Sequence, residues 1–426
     1  MDETIAAVAA SGTGLTQARV DEVISRACLP DSYRGRRVLV IVPDGTRTAP
    51  LGLVFRSLHR QIGGVTAAMD VIIALGTHQP MSEAAICRRL EISEAERRQA
   101  MGRVRLFNHA WNDPAALKEV GALTREEVAE LTDGRFAMEV PVEVNRRLFD
   151  YDQIVIIGPV FPHEVVGFSG GDKYLFPGVA GPRVLNFFHW LGAVVTNPRI
   201  IGHQHTPVRR VIERAAAMVN VDKLCFCLVV SPRHELAGLF AGTPRGAWEQ
   251  ASELSRQAHI VYKDRPFHTI LSCAPPMYDE LWTAGKCMYK LEPVLADGGE
   301  LIIYAPHLAE VCISHGAHLE QVGYHCRDYF LKQWDKFQHV PWAVLAHSTH
   351  VRGIGAFENG VEQCRARVTL ASGLSAEKCA RLNLGYRDPK GIRPNDYANL
   401  EDQGVLLVPK AGETLFCLKN PPSWAS

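Results

Sequence analysis

Short apolar runs rich in Val and Ile recur along the chain, bounded by Gly, Pro or Asp: VLVIV at 38–42, VIIAL at 71–75, IVIIG at 154–158 and LCFCLVV at 224–230. Between them lie stretches such as APLGLVFRSLHRQI and SEAAICRRLEISEAERRQAM, where apolar residues return every three or four positions and predict helices. Strands unbroken by polar residues and alternating with helices predict a mostly parallel sheet covered on both faces. A second series begins near 265 with HTILSCA, GELIIYA and PWAVLAH read as strands, and with WTAGKCMYKLEPVLA and SAEKCARLNLGY read as helices. The end, GVLLVPKAGETLFCL, reads as a hairpin about Lys410-Ala411-Gly412-Glu413.

The pattern predicts two α/β domains with mostly parallel sheets and an active-site cleft between them. The N-terminal domain is expected over 1–263, with 402–426 returning to it, and the substrate-side domain over 264–401; VYKDRPF marks the junction. A length of 426 residues with 47% apolar and 22% charged residues supports large cores and excludes disorder. Lys+Arg and Asp+Glu both number 46, so no net charge gathers polyanions, and neither a nucleic-acid nor a membrane partner is expected. The N-terminal MDETIAAVAASGTG lacks the basic start and apolar core of a secretion signal, and no apolar run is long enough for a membrane helix. Eleven scattered Cys point to a reduced, cytoplasmic protein, with Cys225 and Cys227 read as buried strand positions.

Chemistry gathers just after the strands, where open α/β sheets bind ligands. After VLVIV comes Pro43-Asp44-Gly45-Thr46-Arg47-Thr48, either a turn whose Thr46 or Thr48 caps the next helix or a site where Arg47 grips a carboxylate or phosphate. After VIIAL, Gly76-Thr77-His78 offers a helix cap or a general acid/base. After IVIIG, His163 is followed by Gly167-Phe168-Ser169-Gly170-Gly171-Asp172-Lys173, whose small residues let amides approach a phosphate and whose lysine suits a charge partner or covalent anchor. His189 lies among aromatics as a metal ligand or a core residue. No Gly-x-Gly-x-x-Gly, Walker or His-Glu-x-x-His pattern is present, and His203-Gln-His205 by itself does not make a zinc site.

Taken together, Asp44-x-Thr-Arg47, Gly76-Thr-His78, His163-x3-Gly-Phe-Ser-Gly-Gly-x-Lys173 and His189 resemble the nickel-pincer-dependent lactate racemase family. The likeness extends through Asp279 to Lys286 and the strand entry at 296–303. The resemblance implies an isomerase that inverts C2 of a 2-hydroxy acid by hydride transfer. Its cofactors are nickel and a pyridinium-3,5-bisthiocarboxylate mononucleotide attached to Lys173. It further implies His189 as the nickel ligand and His78 and His163 as the acid/base pair, one for each enantiomer. Gly167, Ser169, Gly170 and Gly171 lie near the nucleotide, and Asp44 positions Arg47 or the cofactor. Arg47 and Lys286 bind substrate, and cofactor-maturation proteins are implied as partners.

Thr283 departs from that family, which carries Gln three residues before the lysine. The polar segment His347-Ser348-Thr349-His350-Val351-Arg352-Gly353, with Trp334 and Trp342 as two candidates for a substrate-side tryptophan, points to a substrate larger or more polar than lactate. The alternatives are an aldonate 2-epimerase using the same cofactor and a non-catalytic carboxylate- or cofactor-binding homologue. Assembly into a homo-oligomer is compatible with all of these.

Overall fold

The computed structural model describes residues 3–46, 48–99 and 101–424. Arg47, with the carboxylate grip expected of it, lies outside the described residues. The chain divides into two compact units, 1–161 with 168–185 and 207–259, and 162–167 with 186–206 and 260–426.

The first unit is built on a seven-stranded sheet in the order Ile5–Val8, Leu236–Gly242, Asp222–Val230, Gln153–Pro159, Arg37–Pro43, Ala68–Ala74, Leu106–Asn108. The last five run parallel, and the first two form an antiparallel edge. Val38 through Val42 have no exposed surface, because helices close both faces of this strand's sheet. Each such side chain contributes about 1.5–3 kcal/mol of burial. Cys225 and Cys227 are buried in the strand Asp222–Val230, as the alternation predicts.

The helices start where the sequence supplies caps. Ser82 and Ser93 cap Glu83–Arg89 and Glu94–Arg98, and Ser93 exchanges bonds with Glu96 in a capping box. The helix Leu51–Ile62 is different, since its N-cap is Pro50 and no side chain caps it. Neither Thr46 nor Thr48 does that work: the Thr46 hydroxyl and amide both turn back to Asp44 Oδ1, at 2.7 and 3.1 Å.

The second unit holds a parallel five-stranded sheet, ordered Gly385–Tyr386, Arg367–Ser372, Leu295–Ala305, Phe267–Cys273, Val405–Val408. Two expectations are corrected here. PWAVLAH is not a strand: Trp342–Arg352 is a helix buried from Ala343 to Val351, so its apolar run carries no periodicity that separates helix from strand. The C-terminal segment is not a hairpin and does not return to the first unit: Val405–Val408 pairs with Phe267–Cys273 and Leu415–Leu418 with Ile260–Lys263, both parallel, within the second unit. Two parallel partners absorb the two apolar runs that a tight turn would otherwise pair with each other.

Gly167 shows how tightly the loop after Gln153–Pro159 is held. Its φ is +78°, and a Cβ built there would lie 1.9 Å from the carbonyl oxygen of His203. Its own carbonyl accepts the Gly202 amide at 3.0 Å. Gly167→Ala is therefore expected to cost at least about 2–3 kcal/mol, combining left-handed strain with a backbone clash, measured as a fall in the denaturant midpoint. An unchanged midpoint would show that the loop relaxes freely.

Candidate functional site

In the first unit three loops hold the residues that the sequence singles out. Asp44 follows the strand Arg37–Pro43, and His78 follows Ala68–Ala74, one strand over in the parallel sheet. Equivalent strand ends bring the two side chains together: Asp44 Oδ2 lies 2.5 Å from His78 Nδ1. Burial pushes the Asp44 carboxyl upward, but the His78 ring and the Thr46 hydroxyl and amide outweigh it and hold the group well below the usual carboxylate range. A carboxylate on Nδ1 fixes the tautomer that leaves Nε2 to exchange a proton, and the His78 side chain, 35% exposed, is accessible from outside. The partner expected for Asp44 was Arg47 or a cofactor; among the described residues it is His78 and Thr46.

The Lys173 loop is anchored from several sides. Gly76 donates to Gly178 O at 3.0 Å, and Tyr174 Oη donates to Pro159 O at 3.0 Å. Ser169 Oγ accepts from Phe161 N at 2.9 Å and donates to Pro159 O at 3.0 Å, so that hydroxyl serves the backbone. Arg209 donates to Phe168 O and stacks 3.9 Å from the Trp248 ring, while Trp248 Nε1 donates to Ser169 O. A Cβ on Gly170 would lie 2.5 Å from Val160 Cγ2, and one on Gly171 would lie 2.9 Å from Pro244 O. Packing alone thus accounts for the smallness of both glycines. Asp172 is buried, and its carboxyl is pushed up to about 6 by desolvation, with Arg209 and Lys223 opposing and Glu213 adding to the rise. Lys173, half-buried, carries Nζ 5.6 Å from the Tyr174 ring.

Sequence reasoning missed Arg89 at the end of Glu83–Arg89. Its Nε and Nη2 are buried without a hydrogen-bond partner, and Asp44, Tyr174 and Glu91 are the acidic groups acting on it against desolvation. An unmatched guanidinium near Asp44 and Tyr174 is suited to an anion. The only signal was an arginine on a helix whose other face was legible as apolar.

In the second unit His163 is buried. Its Nδ1 accepts from Val165 N at 3.2 Å and lies 3.3 Å from Glu164 Oε2. The two neighbours favour opposite tautomers: the amide wants a lone pair on Nδ1, the carboxylate a proton. An imidazole poised in that way can act as acid or base. His189 is half-buried on the helix Pro182–Val195, its ring stacked on Phe188 with centroids 5.1 Å apart.

Thr283 and Lys286 are both buried in short helices at 281–284 and 286–289, and Lys286 Nζ sits 4.7 Å from the Tyr278 ring. Beside them the unassigned polar segment becomes an aromatic cluster. His347 stacks on Trp282 at 4.1 Å and meets Tyr324 edge-on at 5.8 Å, while His315 lies 4.9 Å from Trp282. Trp334 and Trp342 go elsewhere: Trp334 stacks on Trp190 at 5.6 Å and meets Trp342 at 5.4 Å. Burial drives His347 down to about 3, with His350, His315 and His189 adding to the fall and Glu164 opposing it. Burial likewise lowers His350 to about 4, with Glu164 opposing and His189 adding. The same groups thus place Glu164 and His189 in the field of both buried rings.

Residues 9–200 match the lactate racemase N-terminal domain. The chain is 24% identical over 333 residues to the lactate racemase of Thermoanaerobacterium thermosaccharolyticum, covering 74% of this chain and 72% of that one. It is 22% identical over 294 residues to the lactate racemase of Lactiplantibacillus plantarum, covering 67% and 64%. A solved Thermotoga maritima protein superposes with a TM-score of 0.88 at 34% identity, covering 96% of this chain and 100% of its own. The apoprotein of the Thermoanaerobacterium lactate racemase shares the fold at a TM-score of 0.70 and 16% identity, over 93% and 92%.

Because His347 and His350 are neutral when folded and titrate near 6.5 when unfolded, the unfolded chain binds more protons between about pH 4 and 6.5. Their stabilisation is complete above about 6.5 and is lost as pH falls through that window, by up to about 1.4 kcal/mol per unit for each ring. Urea midpoints taken from neutral pH downward should fall accordingly, and less steeply in His347→Gln. A parallel pair of curves would exclude this ring as a source of acid lability.

Proposed function

Since the chain belongs to the lactate racemase-like family, we propose that it is a racemase or epimerase of 2-hydroxy acids dependent on a nickel-pincer nucleotide tethered to Lys173. The observation that carries this reading is the Asp44–His78 pair at adjacent strand ends, an imidazole oriented for proton transfer by a carboxylate.

The residues present fit such a cofactor. Lys173 offers the amine for the tether, and His189 is an imidazole of the kind nickel takes as a nitrogen ligand. The unmatched Arg89 guanidinium suits an anionic group such as a nucleotide phosphate, and the amides of Gly170 and Gly171 are candidates for the same task. What the group supplies when bound is a reversible acceptor for the hydride on C2. The protein's share is proton transfer and orientation. His78 Nε2 takes the hydroxyl proton of one enantiomer while Asp44 holds the proton on Nδ1. His163 is assigned to the other enantiomer, with Glu164 beside its Nδ1. Lys286 and Arg47 are assigned to the substrate carboxylate and oxygen.

The substrate on this reading is larger or more polar than lactate. Thr283 is shorter than the Gln of the resemblance, and buried His347 and His350 bring ring nitrogens to a region where a methyl group needs only apolar surface. An aldonate 2-epimerase is the second reading, favoured by the same polar residues. A non-catalytic binding protein has no need for two histidines each set beside a carboxylate. No described helix is long and apolar enough to cross a membrane. Cytoplasmic residence, maturation partners and homo-oligomerisation belong to the proposal.

Protein co-produced with cofactor-synthesis enzymes is expected to carry nickel and added mass on Lys173, and to invert single enantiomers in a panel of 2-hydroxy acids followed by chiral chromatography. Lys173→Ala should lose the added mass, and His78→Ala and His163→Ala should each lose about 10²–10⁴-fold in kcat. Asp44→Asn should lower kcat with little change in KM. An unmodified Lys173 under those conditions overturns the cofactor assignment, unchanged histidine variants overturn the acid/base assignment, and lactate as best substrate overturns the substrate size.

A further inference from the structure

In the second unit three ligand-type side chains that none of the assignments above uses converge. The hairpin Gly355–Glu358 and Val361–Cys364 turns at Asn359-Gly360, both at positive φ, as a tight two-residue turn requires. Glu362 and Cys364 are two apart on one strand and therefore share a face. Cys326, fully buried, is the N-cap of the short helix Arg327–Leu331 and brings its thiol to that face. Cys326 Sγ, Cys364 Sγ and a Glu362 carboxylate oxygen all lie within 4.8 Å of one another. Gly355 makes the approach possible: a Cβ there would sit 3.0 Å from Cys326 Cβ and 3.1 Å from Cys364 Cα.

We propose that Cys326, Cys364 and Glu362 form a binding site for a thiophilic divalent cation, zinc being the expected occupant. Tetrahedral zinc, about 2.3 Å from sulfur and about 2.0–2.2 Å from oxygen, needs ligand atoms roughly 3.5–3.8 Å apart, inside the 4.8 Å limit of the group. On binding, each thiol releases its proton to solvent and forms a metal–sulfur bond, and nothing is oxidised or reduced. Three protein ligands leave the fourth position to water or an external ligand.

The surroundings orient the carboxylate as metal sites require. His325 Nδ1 lies 2.9 Å from Glu362 Oε2, and Asn383 Nδ2 donates to the same oxygen at 3.0 Å. The Cys326 amide donates to Oε1 at 2.6 Å, and that oxygen keeps a further lone pair for a metal. His325 is itself fixed by stacking on Tyr329 at 3.7 Å. Two thiolates and a carboxylate about a divalent cation leave one net negative charge, and the Arg352 guanidinium acts on both Glu362 and Cys364 to balance it. Nε of Arg352 is buried without a hydrogen-bond partner.

Cobalt(II) added to the reduced full-length protein tests the site independently of racemase activity. One equivalent is expected to give thiolate-to-cobalt charge transfer and tetrahedral d–d bands, displaced by zinc. Cys364→Ser, at a half-buried position, should lose the charge-transfer intensity while the far-ultraviolet dichroism of the folded protein is kept. His325→Ala should weaken cobalt binding by about 10–100-fold through the loosened carboxylate. No charge-transfer band in the wild type, or equal spectra and affinity in Cys364→Ser, overturns the proposal. A Cys326–Cys364 disulfide that forms in air equally fast with and without zinc overturns it as well.

Discussion

A strand buried on both faces has room for a polar side chain only where a partner meets it. Val38 to Val42 have no exposed surface, and Ile154 to Ile157 and Leu228 to Val229 are equally closed. Groups that must meet a ligand therefore stand at the strand ends, as Asp44 and His78 do, whereas Asp70 inside Ala68–Ala74 is spent on Arg105 and Tyr151. Parallel pairing of Arg37–Pro43 with Ala68–Ala74 then fixes their separation through the sheet register. The Asp44–His78 contact is a product of the sheet before it is a product of any loop.

Placing ionisable groups there sets their electrostatics too. Asp44 is buried yet ionised, because His78 and Thr46 replace the water it lost. Asp172, equally buried, has its cations too weakly placed to do the same, and its carboxyl rises. Two aspartates in one unit therefore depart in opposite directions, and the difference lies in hydrogen bonds made directly to Asp44. In the second unit His347 and His350 are kept neutral by desolvation, with aromatic rings as their neighbours.

Much of the architecture was legible because a parallel sheet writes itself as unbroken apolar runs, and the order of strand then polar loop marks the chemistry without a structure. Asp44, His78, His163 and Lys173 were visible on that basis, and the resemblance drew on the same loops. The failures have physical causes. PWAVLAH is buried all round, so no polar face declared it a helix. Thr46 looked like a cap because threonine often is one; here the carboxylate two residues earlier takes it. The union of His78 with Asp44, and of Cys326 with Cys364 and Glu362, depends on register and hairpin geometry that no linear spacing records. Arg89 was hidden because only burial makes an arginine informative.

The division of the chain has its own corollary. The polypeptide passes between the two units five times, and one passage runs within the helix Pro182–Val195. His163 belongs to an excursion of six residues, 162–167, enclosed on both sides by sequence of the other unit. No single cut in the chain separates the two units, so neither can be made as one continuous stretch that holds all of its residues and none of the other's.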